Sequence, residues 1–581
     1  MRKILSWGSA FDGDRAGAFV VWQTVVLVLL ATWSLGGRAD GAIFWIGAVC
    51  WGSLLAVALD PGRRTLLPVG RTGSVLLASW AVVFLFLLIA PLNPQLAPVE
   101  AAGGARGLRP LDPVLWLPSA LVAYRSAEYG LLLSGAMVQS LMLWHYLRSR
   151  RQVRHLLTAL ALNALVLAVA GAWFKLTGAD KILGLAEPVN ERFFASFRYH
   201  NHWVAFTLLS MGQCAALMVE AYGRGLRDPR TKKRRPEVFW LCALVLTSIT
   251  LPMCGSRTGI LFFAFFWFAA LVSGLFFVTR AAGEPAAFIR PWMRSAWFRA
   301  GTVTALVLAV AGYVALVSGD EIREHYTETR ESMQEYHERY HESEDLDFEH
   351  SLYAFRGILA DRLIYSWVDT GNMLGGRPLL GWGFGSHKYA FYFFTGDHYR
   401  DADGFPRVHK EFAHNDWMQF PAELGLVAFT ALLLVPVVQA ARLRRRAPAP
   451  PFSRPLLFTA GLVLVIALFE FPLSNPAVLV LFFVQATAAL GYWRRSVACG
   501  LGDRRQGSGG RGQGSGVRGP GKIGDRSQGS GIRGPGKIGG RDQESGVRGP
   551  GEDRGQEAGI RNQETGEDRG RGIWLYGNTG L

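Results

Sequence analysis

The chain has 581 residues, half of them hydrophobic, and a formal net charge of +16. Composition alone does not separate a soluble from a membrane protein, but placement does. Apolar runs of about 18 to 24 residues recur, each long enough to cross a hydrocarbon core of about 30 Å, and the basic residues cluster in every second loop between them, which excludes a nucleic-acid-binding reading of the charge.

In chain order, spans are predicted near 18–36, 41–60, 72–92, 128–146, 154–176, 197–221, 237–254, 258–279, 299–318, 417–440, 456–473 and 476–493. The fold class is therefore an all-α polytopic membrane protein of about twelve transmembrane helices. Pro472 and Pro476 separate the last two runs so closely that one re-entrant hairpin is an alternative. The first run begins after Asp12 and Asp14 and is long enough to stay as an anchor, so no cleavable signal peptide is expected. Basic clusters lie at Arg63 and Arg64 and in 148–154, 230–235, 290–299 and 442–446. With the N-terminus inside, all of them come out cytoplasmic. The 5 Cys show no CxxC spacing and no disulfide framework; Cys50, Cys214, Cys242 and Cys254 lie in or beside spans.

The opposite face then carries 93–127, 177–196, the turn at Gly255 and Ser256, and a long segment, 320–415. That segment begins charged, and a helix is expected there, with apolar residues returning at Leu352, Phe355, Leu359, Leu363 and Trp367. From Gly375 to Phe412 it is rich in glycine and aromatics, including Gly381-Trp382-Gly383-Phe384-Gly385. These aromatics fit an interfacial belt or a sugar-stacking surface. His337-Glu338-Arg339-Tyr340-His341 has the literal form of a zinc-protease helix. Its flanks are an exposed charged surface, whereas such chemistry needs a third ligand and a closed site, so a chance match on a solvated helix is the better reading. After Gly500 the chain is Gly- and Arg-rich, with Val517, Ile532 and Val547 marking a period of about 15 residues. Disorder is expected there, and an expanded repeat explains it better than RNA binding does.

Polar groups from distant sequence converge on the external face: Arg198, His200, Asn201 and His202, then Ser256 and Arg257, then Arg362, then His414, Asn415 and Asp416. Each alone is explained by snorkelling at a helix end. Together they point to a site for an anionic ligand. A transporter is the competing class, but it calls for ionisable residues deep in paired halves, and few are present.

Asn201-His202 with Ala205, then Ser256-Arg257-Thr258-Gly259, then Pro378-Leu379-Leu380 leading into the glycine motif, then His414-Asn415-Asp416 and Glu423-Leu424-Gly425 together resemble the bacterial O-antigen ligase and O-antigen polymerase superfamily. The resemblance spans roughly 20–490. Ala428 stands where the family often has a second glycine, and the charged 321–350 stretch has no family counterpart. The resemblance implies a GT-C-like glycosyltransferase of the bacterial inner membrane, with a large periplasmic loop domain before the third-last helix and its active site on the periplasmic face. It implies a donor glycan on undecaprenyl pyrophosphate, no metal or other cofactor, and an acceptor that is lipid A–core, another glycan or a protein hydroxyl. Ligase is favoured over polymerase and protein O-oligosaccharyltransferase because the external segment is tall. His414 matches the catalytic histidine, a general base on the acceptor hydroxyl. Arg257 and Arg362 match the arginine positions, and Arg198 is a further candidate for the pyrophosphate. Asn201, Asn415 and Asp416 are expected to orient groups or cap a helix, His202 is a further supporting residue, and Glu423 is expected to hydrogen-bond inside the bundle. The expected organisation is a transmembrane bundle over 1–319, the periplasmic domain over 320–415, closing helices over 416–493 and a cytoplasmic tail over 494–581.

Overall fold

The computed structural model describes residues 14–60, 71–100, 106–188, 193–225, 235–280, 364–395 and 411–509, with isolated positions 312, 327 and 331. The span at 299–318, the histidine-bearing stretch at 337–341, Arg362 and the repeat tail beyond 509 lie outside the described residues.

Helices form at the other eleven predicted spans: α1 (Arg15–Trp33), α2 (Ala42–Gly52, with a short extension at Leu55–Ala58), α3 (Arg71–Leu92), α4 (Ala123–Tyr146), α5 (Arg150–Leu176), α6 (His200–Gly225), α7 (Pro236–Met253), α8 (Arg257–Arg280), α11 (Asp416–Arg446), α12 (Ser453–Ile466) and α13 (Pro476–Gly509). Two short helices, α9 (Thr370–Gly376) and α10 (His387–Ala390), lie in the stretch between α8 and α11. Among the described residues seven helices are long and apolar enough to cross a membrane, while α2, α8 and α12 offer shorter apolar stretches. A small sheet, outside the all-α expectation, closes the 93–122 region. β1 (Pro94–Glu100) pairs antiparallel with β2 (Arg106–Pro110) and parallel with β3 (Ala120–Val122).

Local chemistry sets the helix ends. Asp14 caps α1 by accepting from the Gly17 amide at 3.0 Å. Ser149 and Gln152 form a reciprocal capping box at the start of α5. At this end of the bundle Arg148 pairs with Asp14 at 3.4 Å and with Asp60, joining three helix ends.

The bundle is held by close approach and by polar contacts between apolar helices. A Cβ on Gly212 would collide with Thr459, so α6 and α12 pack tightly. Gln139 donates to Thr24 at 2.7 Å, and Gln213 to Gln485 at 3.0 Å. Buried α6 lies at the centre, with Trp203, Phe206, Phe194 and Phe197 packed together near its first turns. Those turns lie at the end where the site forms.

Candidate active site

α11 begins at Asp416, directly after a loop that carries His414. Asn415 is the N-cap, its side chain accepting from the Met418 amide at 3.2 Å. The cap role allowed for Asp416 therefore falls to its neighbour. Asp416 instead turns its buried carboxylate to the Leu473 amide at 2.7 Å and the Ser474 hydroxyl at 2.9 Å. Its own amide donates to Ala467 at 2.9 Å. These bonds satisfy a buried carboxylate, and they fasten the His414 loop to the connection between α12 and α13.

That connection supplies the residue the sequence reading missed. A span was expected over 456–473, but α12 stops at Ile466. Glu470 leaves the helix and lies 5% exposed beside His414, with Oε2 3.3 Å from His414 Nδ1. A carboxylate at Nδ1 selects the tautomer whose lone pair is on Nε2. His414 has φ +51°, a left-handed conformation that histidine tolerates better than most residues. Glu470 also accepts from the Tyr199 hydroxyl at 3.2 Å. Tyr199 Oη in turn accepts from Asn201 Nδ2 at 3.0 Å, and Asn201 Oδ1 accepts from the Ser256 hydroxyl. One hydrogen-bonded chain thus joins the starts of α6, α8 and α11 to the α12–α13 connection.

Aromatic rings brace this chain. Phe471 stacks between Phe412, at 4.7 Å and 6° between planes, and Tyr199, at 5.3 Å and 14°. His414 and His202 meet Phe471 edge-on at 4.5 and 4.9 Å. Arg38, also missed from sequence, lies 4.6 Å above Phe412 and contacts Glu411 and the Ser474 carbonyl. His202 is buried, with Nδ1 3.3 Å from Asn475 Nδ2. Asn475 Oδ1 is committed to the Val478 amide, so Asn475 donates and the neutral His202 carries its proton on Nε2.

The remaining expected residues divide. Arg257 is exposed at the first position of α8, one residue beyond Ser256 in the chain just described. Arg198 is half-buried next to Tyr199, and its buried Nε has no hydrogen-bond partner among the described residues. Glu423 is 1% exposed and accepts from the His387 amide at 2.8 Å and from Gln419 at 3.4 Å. Gln419 links it to the His414 loop by accepting from the Ala413 amide at 2.9 Å. Burial pushes the neighbouring His387 imidazole down to about 3, so it stays neutral at physiological pH. Among the described residues no group of three or more His, Cys, Asp or Glu side chains is placed to hold a metal ion.

The glycine motif explains how Glu423 is presented. α11 is broken at Gly425, with φ +77° and ψ 155°. The carbonyls that the break frees at Ala422 and Glu423 accept from the amides of Trp382 and Gly383 at 3.2 and 2.9 Å, while the Leu426 amide donates to Pro378 at 2.8 Å. The 378–383 segment therefore lies in the break like a strap, and Gly381, Gly383 and Gly385, all at positive φ, let it lie flat.

The arrangement can do one thing well: present a histidine, polarised at Nδ1 by a buried carboxylate, at the end of an apolar bundle. Glu470→Gln is expected to lower turnover by up to about 10⁴-fold by removing the charge that stabilises the imidazolium and fixes the tautomer. Turnover at saturating substrates measures this, and an unchanged value would rule out the orienting role.

Residues 242–433 match the family model described as O-antigen ligase. The match contains Ser256, Arg257, the strap, His414 and the Gly425 break, and it excludes Arg198, Asn201, His202 and Glu470. No curated protein matches the chain.

Proposed function

Starting from a chain that belongs to the O-antigen ligase superfamily through residues 242–433, we propose that it transfers a glycan from undecaprenyl pyrophosphate to an acceptor hydroxyl at the membrane face where His414 lies. The observation that carries this reading is the His414–Glu470 pair joined to the starts of three helices. His414 Nε2 takes the proton of the acceptor hydroxyl as its oxygen bonds to the anomeric carbon. The bond from that carbon to the pyrophosphate oxygen breaks, and undecaprenyl pyrophosphate leaves with the electron pair. The departing group holds its negative charge, which suits arginine forks better than lysine point charges. Arg257 and Arg198 flank the Tyr199–Asn201–Ser256 chain in sequence and take this role, with Arg362 assigned the same role from the family resemblance. The face is periplasmic and the membrane the bacterial inner membrane, because the basic clusters then fall in the cytoplasm.

The test uses the protein in lipid nanodiscs with a labelled undecaprenyl-pyrophosphate glycan. Lipid A–core, free lipid-linked glycan and a Ser-rich peptide compete as acceptors. Label moving to lipid A–core identifies a ligase; label moving to glycan or peptide identifies a polymerase or a protein glycosyltransferase. No label moving to any of them would set the transferase reading aside. In the same assay Arg257→Lys is expected to raise the donor KM roughly tenfold or more, the loss of a bidentate charge-assisted contact. An unchanged donor KM would remove Arg257 from the pyrophosphate site.

A further inference from the structure

A narrow notch opens between the His414 loop, α4, α10 and α11, with Tyr129, Lys388, Glu411, Gln419, Glu423 and Arg125 among its walls. Its enclosed part has room for about one water-sized group. Tyr129 is 5% exposed, and among the described residues its hydroxyl has no hydrogen-bond partner. A buried phenol normally finds a partner, and leaving one without is costly. The strap makes space for this ring: Gly385 has φ +84°, and a Cβ there would come within 2.8 Å of Tyr129 Cδ2. Phe384 packs edge-on against the same ring at 6.0 Å. The buried carboxyl of Glu423, held by the His387 amide, lines the same notch.

We propose that this notch is a subsite for one hydroxyl-bearing arm of the acceptor's sugar ring, an inference that rests on the transferase reading and makes that acceptor a glycan rather than a protein side chain. The charges favour a neutral polyhydroxyl group over an ion. The wall sets acidic Glu411 and Glu423 beside basic Arg125 and Lys388, so it matches neither sign of charge alone. A sugar hydroxyl accepts from Tyr129 or Lys388 and donates to Glu423, using both halves of the wall. The notch and His414 share the 411–414 loop, so a ring seated here brings a neighbouring hydroxyl towards the base.

The test is saturation-transfer NMR on the full chain in nanodiscs, with methyl glucopyranoside, methyl galactopyranoside, their 6-deoxy counterparts and N-acetylserine amide as probes. At least one methyl glycoside is expected to receive saturation from the wild type, and N-acetylserine amide none. Tyr129→Phe should weaken that binding about tenfold, and Lys388→Gln, at an exposed position that leaves the fold alone, should weaken it too. His414→Ala should bind as wild type does, whereas glycoside binding by the wild type with no label transferred in the nanodisc assay would sink the transferase reading and leave the subsite standing. Tyr129→Phe should also melt no lower than wild type, because it deletes an unpartnered hydroxyl. Saturation of no glycoside, undiminished saturation in Tyr129→Phe, or a clear drop in its melting temperature would overturn the subsite, the last by showing a resident water as the hydroxyl's partner.

Discussion

His414→Ala is expected to lower transfer by roughly 10²- to 10⁴-fold, the contribution of a positioned general base, while the protein remains folded. The imidazole is 24% exposed and bonds to Glu470, which keeps a donor in Tyr199 when the histidine is removed. The backbone at this position complicates alanine slightly, because φ is +51° and alanine in the left-handed region costs about 1 kcal/mol. His414→Asn is the matched control, since asparagine enters that region readily and is not a base. Both variants should be equally inactive, and His414→Asn should melt closer to wild type. Turnover in nanodiscs and thermal unfolding in detergent measure the two halves. Activity retained by either variant at near wild-type level would show that another group takes the acceptor proton.

Gly425→Ala is expected to cost about 3 kcal/mol or more, enough to lose most of the folded protein. The backbone at Gly425, φ +77° and ψ 155°, lies in a region that is essentially closed to side-chain-bearing residues. An added Cβ would also come within 2.6 Å of the Leu379 carbonyl carbon. The Leu379 carbonyl cannot easily give way, because it is backbone of a strap held on both sides by the bonds of Pro378, Trp382 and Gly383 across the break. Moving the strap would free the Ala422 and Glu423 carbonyls, unseat the amide donors of Glu423 and displace Gln419, which holds the His414 loop. Gly461→Ala in α12 is the contrasting change: nothing lies within 4 Å of its added Cβ, so it should be neutral or gain up to about 1 kcal/mol. Monodispersity and melting temperature on size-exclusion chromatography separate the two. A Gly425→Ala protein as stable as wild type would show that the helix break is not required.

Much of this molecule follows from the order of its residues. Apolar runs of membrane length mark where the helices lie, because a long apolar stretch has one low-energy environment and backbone hydrogen bonds must be met inside it. The alternation of those runs places Asn201, Ser256 and His414 at one end, since each begins a helix running in the same direction. Alternation says which end a residue occupies and nothing about its lateral neighbours. Glu470 was hidden for that reason: a single carboxylate within Leu468-Phe469-Glu470-Phe471 barely changes the hydropathy of its surroundings, and the expected span ran past it to 473. Only the end of α12 at Ile466, fastened by Asp416, brings it out to meet His414. Arg38 reaches the site because α1 ends beside α13, where the backbone approach at Gly37 leaves no room for a side chain. The glycine motif and Gly425 are visible as letters, but their joint meaning, a strap laid into a broken helix, depends on two segments about 45 residues apart exchanging backbone hydrogen bonds. Sequence alone determined where most of the described helices lie and which end of the bundle carries the polar residues. The partner of the histidine, the shape of the notch and the break in α11 were decided by tertiary packing, because each rests on contacts between helices that are distant in the chain.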